Sequence, residues 1–234
     1  MSSRNSLVAM PWATLEMPSI HLGVLAADLE RQGFEVRSHS FFVTAAECFA
    51  EAGVTPETYK AVANHGWRGG LGDWIFASAA FDHRDPVRDA GYLALLRASA
   101  LAGELLDAAS RLPALVPRFL ERCIEELLDT DPAIVGFTTS FAQNLSSLAL
   151  ARLIKRRRSG VAVIFGGANC DGPMGAALHR LYDSIDCVVR GEAEPVLPQL
   201  PETSGRPTAC PLAPSRARRP LPSRGPRPHR RSAP

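Results

Sequence analysis

The 234-residue chain lacks the uninterrupted apolar stretch of about 20 residues that a helix needs to cross a bilayer. Its N-terminus, "MSSRNSLVAMPW", carries only a short apolar run that stops at a proline, too short for the core of a secretory signal. A cytoplasmic protein without a membrane partner is expected. Cysteine is scarce, and its number is odd: Cys48, Cys123, Cys170, Cys187 and Cys210 stand at irregular spacings with no C-x-x-C pair. That suggests neither a disulfide framework nor a zinc knuckle, and leaves buried or free thiols as the expectation. No G-x-x-x-x-G-K-[ST] segment occurs anywhere, which removes the phosphate cradle of a nucleotide hydrolase.

What is present is a globular body with a foreign-looking end. A hydrophobic content of 46% suffices for a buried core in one large or two small domains. The net charge of +2 hides a split. Residues 201–234, "PETSGRPTACPLAPSRARRPLPSRGPRPHRRSAP", hold nine Pro and eight Arg against one acid, Glu202, so residues 1–200 are left with 18 basic side chains against 23 acidic ones. With no aromatic residue and two leucines, the tail has too little apolar surface to offset its ordering entropy, and disorder is expected. A nucleic-acid-binding arm, a plain extension and the product of a shifted reading frame are the three origins compatible with it. Proline-spaced arginines bind phosphate weakly and without sequence preference, which disfavours nucleic acid as a partner.

Through residues 1–200 apolar strands alternate with amphipathic helices. "SLVAM" reads as a strand, and the helix in "MPSIHLGVLAADLERQG" has Pro18 near its first turn and Gly33 past its end. Leu22, Leu25 and Leu29 recur at helical spacing as its inward face. "FEVRSH" is a second strand, followed from about 44 to 130 by a region of helical pattern without strand candidates. Alternation then resumes with "AIVGFTT", "NLSSLALARLIKRRR", "VAVIFGG", "GPMGAALHRLY" and "DCVVRG", after which "EPVLPQL" opens a further helical pattern. Short, continuously apolar strands separated by helices of about a dozen residues are the mark of a parallel sheet covered on both faces. The expected fold is α/β, a flavodoxin-like or Rossmann-like doubly wound sheet of about five strands with a helical insertion after the second strand.

Ligands of such sheets sit at the carboxyl ends of the strands, which directs attention to "PWATLEMPS", "TTSFAQN", "GGANCDG" and "GEAE". The first loop has no glycine, so a G-x-G-x-x-G dinucleotide site is disfavoured. "AMPW" and "GFTTS" contain no acids, so the magnesium cluster of a phosphorelay receiver is disfavoured as well. Gly166 and Gly167 remain: glycines there permit close main-chain approach of a bulky ligand, or form a tight turn with no ligand at all. Asn144 suits the N-cap of the helix that follows its loop.

Taken in order, "MPSIHLGVLAADLERQGFEVR", "DPAIVGFTTSFAQNLSSLALARLIKRRR", "VAVIFGGANCDG" and "DCVVRGEAEPVLPQL" resemble the cobalamin-binding domain at the N-terminus of B12-dependent radical S-adenosylmethionine (SAM) proteins. "GDWIFASAAF" is similar to a segment of the ribosomal-peptide maturation members of that group. The resemblance covers about residues 6–200 and implies that Gly166 and Gly167 make room for the nucleotide tail of cobalamin. It implies further cofactor contacts at Trp12 and Ala13, Thr139 and Ser140, Asn169, and Gly191 and Glu192. Each has a plainer alternative: Trp12 as a plug of the sheet edge, Thr139 and Ser140 as caps of local backbone, Asn169 as a turn former, Glu192 as the cap of a following helix.

Two departures qualify the resemblance. None of the six histidines falls in D-x-H-x-x-G, so no histidine ligand to cobalt is expected. No C-x-x-x-C-x-x-C follows Leu200, so the [4Fe–4S] cluster and SAM of the full-length family are not expected in this chain. The implied function is the cofactor-holding half of a peptide-modifying, C-methyltransferase-like enzyme, inactive by itself. A non-catalytic α/β fragment and an interaction module that binds a ribosomal precursor peptide are the alternatives.

Overall fold

The computed structural model describes residues 4–83, 85–98 and 103–197; the Pro/Arg-rich stretch expected to be disordered lies outside the described residues. Its strands are β1 (Arg4–Ala9), β2 (Glu35–Ser40), β3 (Ile134–Thr138), β4 (Ala162–Gly166) and β5 (Cys187–Val188). All pairings are parallel and the order is β2-β1-β3-β4-β5. This is the doubly wound, flavodoxin-like arrangement that the alternation of patterns predicts. Its helices are α1 (Ile20–Arg31), α2 (Phe41–Glu51), α3 (Pro56–His65), α4 (Leu71–Phe81), α5 (Pro86–Arg97), α6 (Gly103–Ala109), α7 (Val116–Asp129), α8 (Asn144–Arg157) and α9 (Gly172–Leu181).

Register sorts the strand side chains between two faces, because successive residues of a strand point to opposite sides. Leu7, Gly136 and Ile164 stand opposite one another and share one face; Val8, Phe137, Phe165 and Val188 share the other. On the second face the Phe137 and Phe165 rings meet at 5.1 Å, and α8 and α9 cover them with Leu145, Leu148 and Leu178. On the first face α1 buries Leu22 and Leu29, while Val196 packs with Ile164, Cys187 and Val189 in a small separate core.

The insertion after β2 consists of α2 through α7, and α2 starts directly at Phe41, where the sequence pattern places the boundary near residue 44. α7 is its most amphipathic member: Phe119, Leu120, Cys123, Ile124 and Leu127 form one buried stripe. Trp12 ties the insertion to the sheet. Its ring lies 5.0 Å from Tyr59, 5.9 Å from Phe49 and 6.2 Å from Phe76, and its indole N–H donates to the Gly72 carbonyl at 2.9 Å. The arginines that close α8 also reach across to the insertion. Arg152 and Arg156 pair with Asp82 and Arg157 with Glu121 there, while Arg158 pairs with Asp131 in the turn before β3. These pairs are largely exposed and orient more than they stabilise.

Candidate functional site

A groove of about 480 Å³ opens on the first face of the sheet near the strand carboxyl ends. Leu7, Gly136 and Ile164 form its floor, with α1 (Ile20, His21, Val24, Leu25) on one side and the segment Gly191–Leu197 on the other. Gly136 deepens it, since the central strand has no side chain there and an added Cβ would stand 3.1 Å from Leu7 Cδ2. Ile20 and Val24 remain 72% and 48% exposed, so α1 carries an apolar stripe toward the groove as well as the one toward the core. The mouth carries Asp171, Glu192 and Glu194, and no Lys or Arg lines it among the described residues. Such a site takes a flat apolar group on its floor, and hydroxyl or amide donors at its mouth.

Four of the sequence-derived candidates line this groove: Gly166, Gly167, Gly191 and Glu192. Gly167 has φ +96° and ψ −176°, a conformation that only glycine adopts freely. A Cβ there would meet the Thr139 carbonyl oxygen at 2.5 Å and its nitrogen at 2.9 Å. The tight turn and the close approach are therefore both features of this loop, and the closest neighbour of the Gly167 main chain is the β3 loop.

The next three candidates hold loops together instead of facing the groove. Thr139 is fully buried, and its hydroxyl donates to the Gly166 carbonyl at 3.0 Å, so it is not available to a ligand. Ser140 donates from both its backbone N–H (2.9 Å) and its hydroxyl (3.0 Å) to Gln143 Oε1, and Gln143 in turn donates to the Met10 carbonyl. Asn169 donates to the Phe141 carbonyl at 3.0 Å and to Asn144 Oδ1 at 3.1 Å, which links the loops after β3 and β4. The plainer alternatives describe these side chains best.

Trp12 and Ala13 do not reach the groove. The Trp12 ring is 5% exposed and faces the insertion, and the Ala13 carbonyl accepts the Tyr59 hydroxyl at 3.1 Å. The aromatic environment supplied by α2, α3 and α4 draws the indole inward, where it anchors the insertion to the sheet. Asn144 is likewise not the cap of α8; it is the first helical residue. The α8 terminus is capped from the insertion, where Asp73 Oδ1 accepts the Leu145 N–H at 3.1 Å. Burial raises the Asp73 carboxyl above its ordinary 3.8 against that hydrogen bond.

A larger cavity, about 620 Å³, lies at the amino-terminal edge of the strands. Its charges neutralise one another: Lys155 sits 2.5 Å from Asp186, and Arg152 and Arg156 share Asp82. Nothing there matches a ligand as well as the glycine-lined groove does. Among the described residues no three His, Cys, Asp or Glu side chains are grouped to hold a metal ion, and no described helix is long and apolar enough to cross a membrane. Cys48, Cys123 and Cys170 are buried free thiols; burial pushes the Cys123 and Cys170 thiols up, away from reactive thiolate.

Sequence reasoning missed Ile20, Val24, Gly136 and Ile164. The signal was there in α1, whose Ile20 and Val24 are apolar at i, i+4 on the side away from Leu22 and Leu29. No family model, no curated protein and no solved structure matches this chain.

Proposed function

We propose that the chain is a cobalamin-binding module, the cofactor-holding part of a B12-dependent radical SAM enzyme of peptide maturation. The observation that supports this reading most is the groove. It lies at the carboxyl edge of a β2-β1-β3-β4-β5 sheet, its floor is apolar over Leu7, Gly136 and Ile164, and the double glycine of "VAVIFGGANC" stands at its mouth. A flat base with an attached ribose suits that floor, Glu192 and Glu194 supply acceptors for ribose hydroxyls or corrin amides, and the phosphodiester of the tail is left to solvent because no Lys or Arg lines the groove among the described residues. Gly166 and Gly191 leave the entrance clear of side chains. When bound, cobalamin supplies the methyl-carrying and redox chemistry of its cobalt, and the chain's own part is to hold and orient it.

The test is a titration of the purified chain with hydroxocobalamin, followed by visible absorbance and equilibrium dialysis. Saturable 1:1 binding that Gly136→Val weakens is the expected result, because a valine on the central strand fills the groove floor. Absence of binding, or binding indifferent to that substitution, refutes the reading.

A second reading has one observation in its favour. On α5, Val87 and Leu95 are 81% and 68% exposed and lie eight residues apart on one side of the helix, so the insertion presents apolar side chains to solvent. An interaction module for a precursor peptide would use such a face. Retention of precursor peptides by the immobilised chain, lost in Val87→Glu/Leu95→Glu, tests it.

A further inference from the structure

The mouth of the groove carries negative charge that nothing beside it answers. Asp171 and Glu192 are exposed there and Glu194 is half-buried, and among the described residues none of the three forms an ion pair and no Lys or Arg lines the groove. At the other end of the sheet the acids are neutralised, Asp186 by Lys155 and Asp82 by Arg152 and Arg156. Apolar side chains stand beside the unanswered carboxylates. Ile20 and Val24 of α1 line the groove yet stay exposed. Such a surface suits a partner that brings cations and apolar groups together.

The chain carries that chemistry itself. The described residues end at Leu197, which lines the groove, and residues 201–234 follow with eight Arg, nine Pro, Leu212 and Leu221 against the single acid Glu202. Residues 1–200 hold 18 basic side chains against 23 acidic ones, so segment and body are opposite in sign. Arg206 lies nine residues past Leu197 and Arg219 lies 22 past it; flexible tethers of those lengths reach about 15–28 Å. That is enough to lay the arginines back over the carboxylates beside which the segment starts. A tether this short holds them at an effective concentration in the millimolar range, where exposed ion pairs that are weak one by one are populated together. We infer that residues 201–234 dock across the groove mouth as an intramolecular strap, with arginines on Asp171, Glu192 and Glu194 and with prolines and leucines on Ile20 and Val24. The strap does not depend on the cobalamin reading. It makes entry to the groove floor sensitive to ionic strength, because salt screens exposed pairs.

The experiment is limited proteolysis of the full chain. Trypsin can cut after Arg216, Arg218 and Arg224, none of which precedes a proline, and mass spectrometry follows each cut. Wild type and Glu192→Gln/Glu194→Gln are compared at low salt and at about 0.5 M NaCl, where the screening length is a few ångströms. The expected result is that wild type is cut at least about threefold more slowly at low salt than at high salt, while the variant is cut at the fast rate in both. Equal rates for the two proteins at low salt overturn the strap. Protection that grows with protein concentration places the segment on a second copy and overturns the intramolecular form. A reading that leaves the groove untouched comes from the amide resonances of Gly166, Gly167 and Gly191, which should move between wild type and Arg216→Ser/Arg218→Ser/Arg219→Ser. Resonances that stay in place also overturn it. None of these outcomes bears on whether the floor binds hydroxocobalamin, so the two readings fail separately.

Discussion

The neighbouring glycines of the β4 loop should respond very unequally to the same added methyl group. At Gly167 the backbone stands at φ +96°, ψ −176°, a region that costs a non-glycine residue about 1–3 kcal/mol. The new Cβ would also lie 2.5 Å from the Thr139 carbonyl oxygen and 2.9 Å from its nitrogen. Those atoms belong to backbone already fixed by the bonds from Thr139 N–H to Gly166 (2.8 Å) and from Asn169 N–H to Thr139 (3.3 Å). Relieving the clash weakens at least one of these bonds, about 1 kcal/mol more. Gly167→Ala is thus expected to cost about 2–4 kcal/mol, which for a body of this size lowers the melting midpoint by about 4–16 °C. At Gly166 the added Cβ has only Val189 Cβ nearby, at 3.8 Å, an ordinary contact, so Gly166→Ala should stay within about 0.5 kcal/mol. Urea unfolding of the three proteins, followed by far-ultraviolet circular dichroism, reads the difference. Equal effects, or a tolerant Gly167, would refute the claim that the β3 and β4 loops are locked together at this turn.

Other outcomes follow from the same contacts. Trp12→Phe leaves the Gly72 carbonyl without its indole donor and is expected to cost about 1–3 kcal/mol in urea unfolding, while hydroxocobalamin affinity is unchanged because the ring does not line the groove. The raised Asp73 carboxyl means that the folded chain keeps a proton the unfolded chain has already released. Stability from this group therefore falls as pH rises above its ordinary 3.8; Asp73→Asn, which can still accept the Leu145 N–H, removes that slope in unfolding midpoints measured across the acidic range. The Tyr92 hydroxyl is pushed up to about 12, first by burial and then by the Asp73 charge, so in Asp73→Asn its ultraviolet titration should move downward.

The sheet was legible because its central strands are short, nearly continuous apolar runs and the covering helices carry apolar stripes, while the edge strand β2, "EVRSHS", is mostly polar and exposed. "VAVIFGG" and "AIVGFTT" are apolar at nearly every position and read as parallel strands, although β3 is fully buried on one face only, its other face being half-buried at the groove. The insertion was legible as helical, though its start at Phe41 was not, because "SFFVTAAECFA" is apolar enough to continue a strand. Side-chain direction was the limit at the site. Glycines that line a groove are recognisable from their position after a strand, so Gly166, Gly167 and Gly191 could be placed. Whether Trp12 faces a ligand or a core depends on the partners it finds, and Phe49, Tyr59 and Phe76 lie 37 to 64 residues away in sequence. The same holds for Asp73, which caps α8 from a distant helix in place of the nearby Asn144. Hydroxyls and amides such as those of Thr139, Ser140 and Asn169 satisfied neighbouring loop groups first, as short polar side chains do.

The most direct test of the account is equilibrium dialysis of the purified chain against hydroxocobalamin, with Gly136→Val alongside it. The account predicts one bound equivalent with a Kd of about 1–100 µM, roughly −8 to −5 kcal/mol, and at least a tenfold loss in Gly136→Val with folding intact. A wild-type chain that folds, keeps its groove and retains no corrinoid would contradict it.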